Sequence, residues 1–424
     1  MFMEYGRFID FIHMEYISKS KYLDLLEFYY PYKIYLYGNQ YKINSENKIS
    51  VFKERVKDVL REIYCVKQLF FSKTEKRSDK PTILSGAYFG LNKYLNEIGY
   101  NTVYGPWLIN GTDKFLGDIK YIHKYYAFKR KINSMSFQSS ISDECDMVIS
   151  EFVEETKKVM ILHNIRAFIA SSTHAMENRI PLKAAQELGI PTFVFLHGLP
   201  FPFYYEEPQR VDYLIVWSEK IKENFVKFSQ FPSDRILVAG HPLYQEMPHT
   251  RLKNNHDDIL IICPSAEAER HQDRGNMVYY LLSIEKVLKN HGIKHVRFRP
   301  HPHEDAKWYF NYVDPLFFKL DTRPLSQALT NSSLIIGTLS TIVVEAIFYG
   351  VNYILYDPID EYGKNVYGHT SVPPFDGTDK FLVVAKNEEE LDHIILSKLC
   401  TDINFFHEYI KTPFDISFIN QFIR

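Results

Sequence analysis

The sequence predicts an α/β protein built on two parallel sheets. Three observations predict it. From about residue 80 onward one pattern recurs: a short β-branched apolar run, a turn with Gly, Ser or His, then a helical period of roughly fifteen residues, the mark of parallel strands joined by crossover helices. The chain has 424 residues, too many for one ordinary core and enough for two domains of about 200 each. The pattern is also interrupted midway by a Pro-rich stretch, LPFPFYYEEPQ, in which Pro200, Pro202 and Pro208 exclude a regular helix or central strand. That stretch reads as a linker or cleft loop and divides the chain into residues 1–205 and 206–424.

The elements follow in order. In the first half the strands are expected at Thr82 to Ser85, Thr102 to Tyr104, Ala167 to Ala170 and Thr192 to Leu196, with long helices around 112–133 and 143–164. In the second half they are expected at Tyr213 to Trp217, Ile236 to Ala239, Ile259 to Cys263, Val296 to Arg299, Leu334 to Ile336 and Tyr353 to Tyr356. Residues before 75 carry helical patterns such as VFKERVKDVLREIYCVKQLFF and one apolar run, IYLYG, and read as an extension of the first domain. KTEKRSDKP, at 73–81, reads as a charged surface loop.

Composition excludes several classes. A net charge of −2 provides no global basic field for nucleic acid, so any anion site must be local. Cys65, Cys145, Cys263 and Cys400 form no CxxC or Cys/His pair at metal-ligand spacing, which argues against a zinc site and a disulfide scaffold and fits a reducing cytoplasm. The amino-terminal MFMEYGRFIDFIHMEY has Glu4, Arg7, Asp10 and Glu15 where a signal peptide would be uninterruptedly apolar. The longest apolar stretch, Leu334 to Leu355, is broken by Glu345, Gly350 and Asn352 and reads as strand, helix, strand.

In open parallel sheets, ligands bind outside the carboxyl ends of the strands, and the informative residues fall there. After Val296 to Arg299 comes RPHPHE, with Arg299, His301, Pro302, His303 and Glu304. Two imidazoles and a guanidinium at a strand end are good donors to phosphate oxygens; a lone histidine there would more simply be a satisfied structural one. Next, GTLSTIVVEAIFYG leads from strand to helix near Ser340 and Thr341, where small hydroxyls and open backbone amides form a phosphate site. Four residues on, Glu345 interrupts an otherwise apolar helix, as a partner for ligand hydroxyls or a buried partner for Arg299. An ordinary N-cap accounts for the hydroxyls but not for this carboxylate.

These residues carry a resemblance. HVRFRPHPHE followed by GTLSTIVVEAIFYGVNYILYD, together with VDYLIVWSEKIKENFVKF and FPSDRILVAGHPLY, resembles the carboxyl-terminal half of surface-polysaccharide glycosyltransferases of the GT-B class. That set includes Kdo transferases, polysialyltransferases and teichoic-acid CDP-glycerol transferases. It implies two Rossmann-like domains facing a cleft, an amino-terminal acceptor domain and a carboxyl-terminal nucleotide-sugar domain. It also implies that His301 and Pro302 contact the donor phosphate and that Ser340 and Thr341 hold the leaving nucleotide. The resemblance spans roughly 190–360; the acidic-acidic-Gly acceptor motif of polysialyltransferases has no clear match in the first domain.

Such chemistry needs a base for the acceptor hydroxyl and charge stabilisation on the departing phosphate. Base candidates at strand ends of the first domain are His174 and Glu177 in SSTHAMENR and His197 in FLHGLP, while Glu267 and Arg270 in PSAEAER lead either into the same space or into a surface helix. SGAYFG, Ser85 to Gly90, also follows a strand and supplies small residues for close ligand approach. Asp357, Asp360 and Glu361 in DPIDE read as a cleft-rim loop, and no acidic triad or DxD appears where a metal would bridge a diphosphate, so no metal and no cofactor beyond the nucleotide-sugar substrate is expected. KYIHKYYAFKRK interleaves Lys120, Lys124, Lys129, Arg130 and Lys131 with Tyr121, Tyr125, Tyr126 and Phe128. It reads either as a surface for peripheral contact with an anionic membrane bearing a lipid-linked glycan acceptor, or as a solvated face with its aromatics in the core. The reading is an inverting, metal-independent transferase using a CMP-sugar such as Kdo or a sialic acid relative. CDP-glycerol or UDP-sugar donors stay open, as does an isomerase of the UDP-GlcNAc 2-epimerase kind, which shares the fold and a similar helix.

Overall fold

Twelve short strands, nearly all carrying buried apolar residues, form two sheets in the computed structural model. It describes residues 47–71, 80–86, 90–107, 115–135, 143–173, 176–200, 210–246, 251–253, 255–263, 274–302, 304–366 and 370–423. The first sheet holds β1 (Thr82–Gly86), β2 (Asn101–Tyr104), β3 (Ile165–Ala170), β4 (Thr192–Phe195), β5 (Tyr213–Val216) and β6 (Ile236–Val238), in the order β2-β1-β3-β4-β5-β6. The second holds β7 (Ile259–Ile262), β8 (Val296–Arg299), β9 (Phe318–Leu320), β10 (Leu334–Gly337), β11 (Asn352–Tyr356) and β12 (Val383–Ala385), in the order β12-β11-β10-β7-β8-β9. Every pairing is parallel. Central strands such as TFVF of β4 and LIIG of β10 are buried throughout, as sheets covered on both faces require.

The ten expected strands form, and two edge strands, β9 and β12, join them. The division at 205 does not follow the sheets. The strands at Tyr213–Val216 and Ile236–Val238, expected in the second half, pair onto β4 and complete the first sheet. A Pro-rich segment cannot continue a strand or helix, but a crossover loop at a sheet edge meets that restriction as well as a linker does. The chain passes to the second sheet between β6 and β7, and its carboxyl end then returns. Lys411 N–H donates to Trp217 O and Asp415 N–H to Ala239 O, both at 2.8 Å, and Tyr100 donates to Asn420 Oδ1 at 2.7 Å. Gly240, at φ +87°, sits where these two passes touch: a Cβ there would lie 2.3 Å from Lys411 O.

Helices cover the sheets for legible reasons. α1 (Asn47–Phe71) lies against α3 (Ile119–Ser134), and α4 (Asp143–Leu162) turns Cys145, Val148, Ile149, Phe152, Val153, Thr156 and Met160 inward at helical spacing. α2 (Leu91–Glu97) links β1 to β2. Asp118 accepts from Tyr121 N–H at 2.9 Å and caps α3. On KYIHKYYAFKRK the aromatics enter the core and the cations lie on the outer face. Tyr121, Tyr125, Tyr126 and Phe128 are buried, while Lys124, Lys129 and Arg130 reach Glu155, Asp58 and Glu62 at 2.6, 2.9 and 2.8 Å. These cations neutralise carboxylates of neighbouring helices. No helix among the described residues is long and apolar enough to cross a membrane.

Candidate active site

In each sheet the strand order reverses once, between β1 and β3 in the first and between β7 and β10 in the second. Loops leaving the carboxyl ends on either side of such a point diverge, and the crevice between them is where parallel α/β sheets take ligands. The second sheet has the strand order of dinucleotide-binding sheets, three strands on each side of its reversal.

At the second crevice, β10 leads through Thr338 and Leu339 into Ser340, Thr341 and α10 (Ile342–Phe348), which among the described residues follows α5 (Met176–Glu187), α6 (Glu219–Ser229), α7 (Arg274–Asn290), α8 (Ala306–Tyr309) and α9 (Leu325–Thr330). Tyr353 of β11 donates to Thr338 O at 2.6 Å; a Cβ on Gly337 would lie 2.3 Å from that hydroxyl, so the close approach needs glycine. Ser340 Oγ accepts from Ile342 N–H at 3.2 Å. Thr341 precedes the helix without capping it, and its Oγ1 accepts instead from Leu199 N–H of the loop after β4 at 3.1 Å. Glu345 is half-buried on the same helix, and burial raises its carboxyl above the usual range. Its carboxylate accepts no hydrogen bond from a described residue and packs near the buried Tyr244, whose hydroxyl is pushed up by burial and then by the Glu345 charge. Arg299 is not its partner: Arg299 Nη1 donates to Arg323 O at 2.6 Å.

Arg299 ends β8, and His301 follows, half-buried, in a turn closed by Glu304 N–H on His301 O at 2.8 Å. Pro302 is exposed on that turn. Arg299, His301 and Pro302 therefore share the carboxyl edge with Ser340, Thr341 and Glu345, on the other side of the β7 exit. His303, Glu267 and Arg270 lie outside the described residues, as do His174 and the side chain of Glu177, which belongs to α5. The DPIDE carboxylates do not converge. Asp357 is fully buried and accepts from Ser371 at 2.5 Å and Lys386 at 2.7 Å, while Asp360 accepts from the Tyr362 and Lys364 amides in its own turn. Burial raises the Asp357 carboxyl, opposed by the Lys386 ammonium.

His197 stands two residues beyond Phe195, the last residue of β4. Its Nδ1 is 2.8 Å from Ser171 O. A carbonyl only accepts, so Nδ1 carries the proton and Nε2 the lone pair of the neutral ring. Burial lowers the imidazole below its ordinary range, partly offset by that carbonyl, which favours the neutral ring. Two residues on, Leu199 makes the bond to Thr341, which brings the His197 turn against the helix start of the second sheet. Sequence reasoning missed the Leu199 amide, a backbone group with no sequence signal. It also passed over Asn178 and Arg179, both buried polar residues in the quoted SSTHAMENR, in favour of their titratable neighbours.

Two parallel six-stranded sheets whose carboxyl edges meet in this way form the GT-B class of α/β architecture, as the resemblance implies. No family model matches the chain, and no curated protein matches it by sequence. Among solved structures it is similar to the UDP-GlcNAc 2-epimerase of Methanocaldococcus jannaschii in complex with UDP-GlcNAc and UDP, at 15% identity and a TM-score of 0.47, over 80% of this chain and 96% of that one. It is similar to the lipopolysaccharide outer core galactosyltransferase WaaB at 10% identity and 0.45, over 81% and 98%. The wall teichoic acid polymerase TagF follows at 13% and 0.42, over 88% and 96%. The strand orders of the two sheets carry the fold.

Proposed function

We propose that the chain is a glycosyltransferase that moves a sugar from a nucleotide-activated donor to a surface polysaccharide or glycolipid acceptor, with inversion and without a metal. The observation that carries this is the Leu199 to Thr341 hydrogen bond, which sets a neutral histidine at one sheet edge beside a hydroxyl-rich helix start and a half-buried carboxylate at the other. In this reading the first sheet takes the acceptor and the second takes the donor. His197 Nε2 accepts the proton of the acceptor hydroxyl as its oxygen attacks the anomeric carbon. Arg299, His301 and the Ser340–Thr341 amides take up the charge that grows on the departing phosphate, and Glu345 accepts from nucleotide hydroxyls. A CMP-sugar such as Kdo or a sialic acid relative is favoured, since two side-chain donors and a helix start suit one phosphate better than an unneutralised diphosphate. The acceptor would be met at the inner face of the cell membrane.

Incubation with CMP-, CDP- and UDP-sugars in separate reactions, reading released nucleotide, tests the reading. Nucleotide released only in the presence of acceptor and undiminished by EDTA is expected; strict dependence on Mg²⁺ or Mn²⁺ would remove the metal-free mechanism. A second reading, an isomerase of the UDP-GlcNAc 2-epimerase kind, draws on the half-buried Glu345 following Thr341 on one helix face. It requires an epimerised sugar with no nucleotide released by an acceptor.

A further inference from the structure

The turn that leaves β3 is held in an unusual way. Three consecutive backbone carbonyls, those of Ser171, Ser172 and Thr173, each accept from a side chain: His197 Nδ1 at 2.8 Å, Asn178 Nδ2 at 2.7 Å and Arg179 Nε at 2.7 Å. The Ser171 amide is engaged as well, donating to Gly86 O of β1 at 3.3 Å. Strand-exit carbonyls ordinarily face water, which exacts no geometry from them. Asn178 and Arg179 are buried, Arg179 to 2% exposure, and both project from the first turn of α5. Asn178 also packs against Gly86, where an added Cβ would approach its Oδ1 to 3.1 Å. The turn lies at the strand-order reversal of the first sheet.

We propose that Asn178 and Arg179 are positioning residues that fix the β3 exit turn so that the Ser171 carbonyl holds His197 in its Nδ1–H tautomer, with Nε2 presented as the proton acceptor. The chemistry follows from the single acceptor. The two neutral tautomers of imidazole differ little in energy in water, so a hydrogen bond at one nitrogen decides which predominates. A carbonyl free to swing with a loose turn would not discriminate between them. One clamped by its two successors in the chain does. Asn178 and Arg179 therefore act through Ser171 O and need not touch substrate; this deepens, and rests on, the role of His197 as base.

The test is long-range ¹H–¹⁵N spectroscopy of the full-length protein labelled at histidine, with the His197 signals assigned by their loss in His197→Gln. Wild type is expected to show the Nδ1–H tautomer and to titrate below 6.5, the ordinary imidazole value. Asn178→Asp, which replaces the Ser172 donor by an acceptor, and Arg179→Lys, which keeps the charge but loses the planar Nε–H, are expected to admit the Nε2–H tautomer and move the titration toward 6.5. Each should lower kcat about tenfold to a hundredfold with KM little changed, as misplacement of a catalytic group does. An unaltered tautomer and titration in either variant, while folded, would overturn the proposal; so would an Nε2–H tautomer in wild type, which decides the matter even if both variants unfold. Full turnover in His197→Gln would remove the base assignment alone, leaving the spectroscopic comparison to judge the positioning.

Discussion

Leu199 N–H donates to Thr341 Oγ1 across 3.1 Å, joining the loop that leaves β4 to the first residue before α10. Leu199 is fully buried, so its amide has no water to turn to. Thr341→Val keeps the side-chain shape and removes the acceptor. An orphaned buried donor costs about 1 to 3 kcal/mol, and the variant should unfold at correspondingly lower urea concentration. Thr341→Ser should restore most of it. Equal stability of Thr341→Val and wild type would show that the two edges are not coupled through this bond.

His301 lies in a half-buried turn closed by backbone hydrogen bonding, so its side chain can be removed without dismantling β8. His301→Ala should stay folded yet turn over about a hundredfold more slowly, since one lost donor to a departing phosphate is worth roughly 3 kcal/mol. Steady-state kinetics on the folded variant decide this, and unchanged kcat would take the turn out of the site.

Glu345 separates stability from binding. Its carboxyl is raised above 4.5 by burial without a compensating partner. The folded chain therefore holds the proton more tightly than the unfolded one, and stability falls as pH rises from 4.5 through the folded value. Glu345→Gln should be more stable than wild type at pH 7 and equal to it below pH 4 in thermal melts. In the same variant cytidine monophosphate should bind more weakly by about 1 to 3 kcal/mol. Calorimetry on wild type should show tighter binding of cytidine monophosphate than of uridine diphosphate; the reverse order would exclude the CMP-sugar donor.

Asp321 tests the scaffold beneath the site. Burial alone would raise its carboxyl, but hydrogen bonds from Arg323 and Arg297 outweigh it and hold the group at about 2. With the folded value depressed, its stabilisation is present above 3.8 and is lost as pH falls toward 2. Arg297 Nη1 and Arg323 Nη2 both reach Asp321 Oδ2 at 2.5 Å, and the carboxylate is fully buried. Asp321→Asn removes the carboxylate that Arg297 and Arg323 share, leaving Arg297 with Asp258, and should destabilise the fold by about 2 kcal/mol at pH 7, with the difference narrowing as pH falls toward 2 in denaturant titrations.

The central strands were legible because burial on both faces demands continuous apolar runs, and FVFL, YLIV, ILII and LIIG leave no other reading. The edge strands β9 and β12 were not. Phe318–Leu320 and Val383–Ala385 have three residues each, and Lys319 and Leu320 are exposed on the first, so neither carries the pattern of a covered strand. Ser340, Thr341, Arg299 and His301 were readable as site candidates because each directly follows an apolar run, and parallel topology places every such position on one edge.

What the sequence alone determined is thus the class of fold and which residues lie at strand ends, since both depend on local periodicity. Tertiary structure decided the rest. That Tyr213–Val216 and Ile236–Val238 complete the first sheet depends on which neighbour they hydrogen-bond, and a short apolar run fits either sheet equally well. That Glu345 stands apart from Arg299, that the cations of α3 meet Asp58, Glu62 and Glu155, and that three carbonyls after β3 are held by His197, Asn178 and Arg179 depend on contacts between distant segments. Charge and hydrogen-bonding capacity are written in the residue, but the partner that satisfies them is chosen only when the packed core fixes which segments lie within 3 Å of each other.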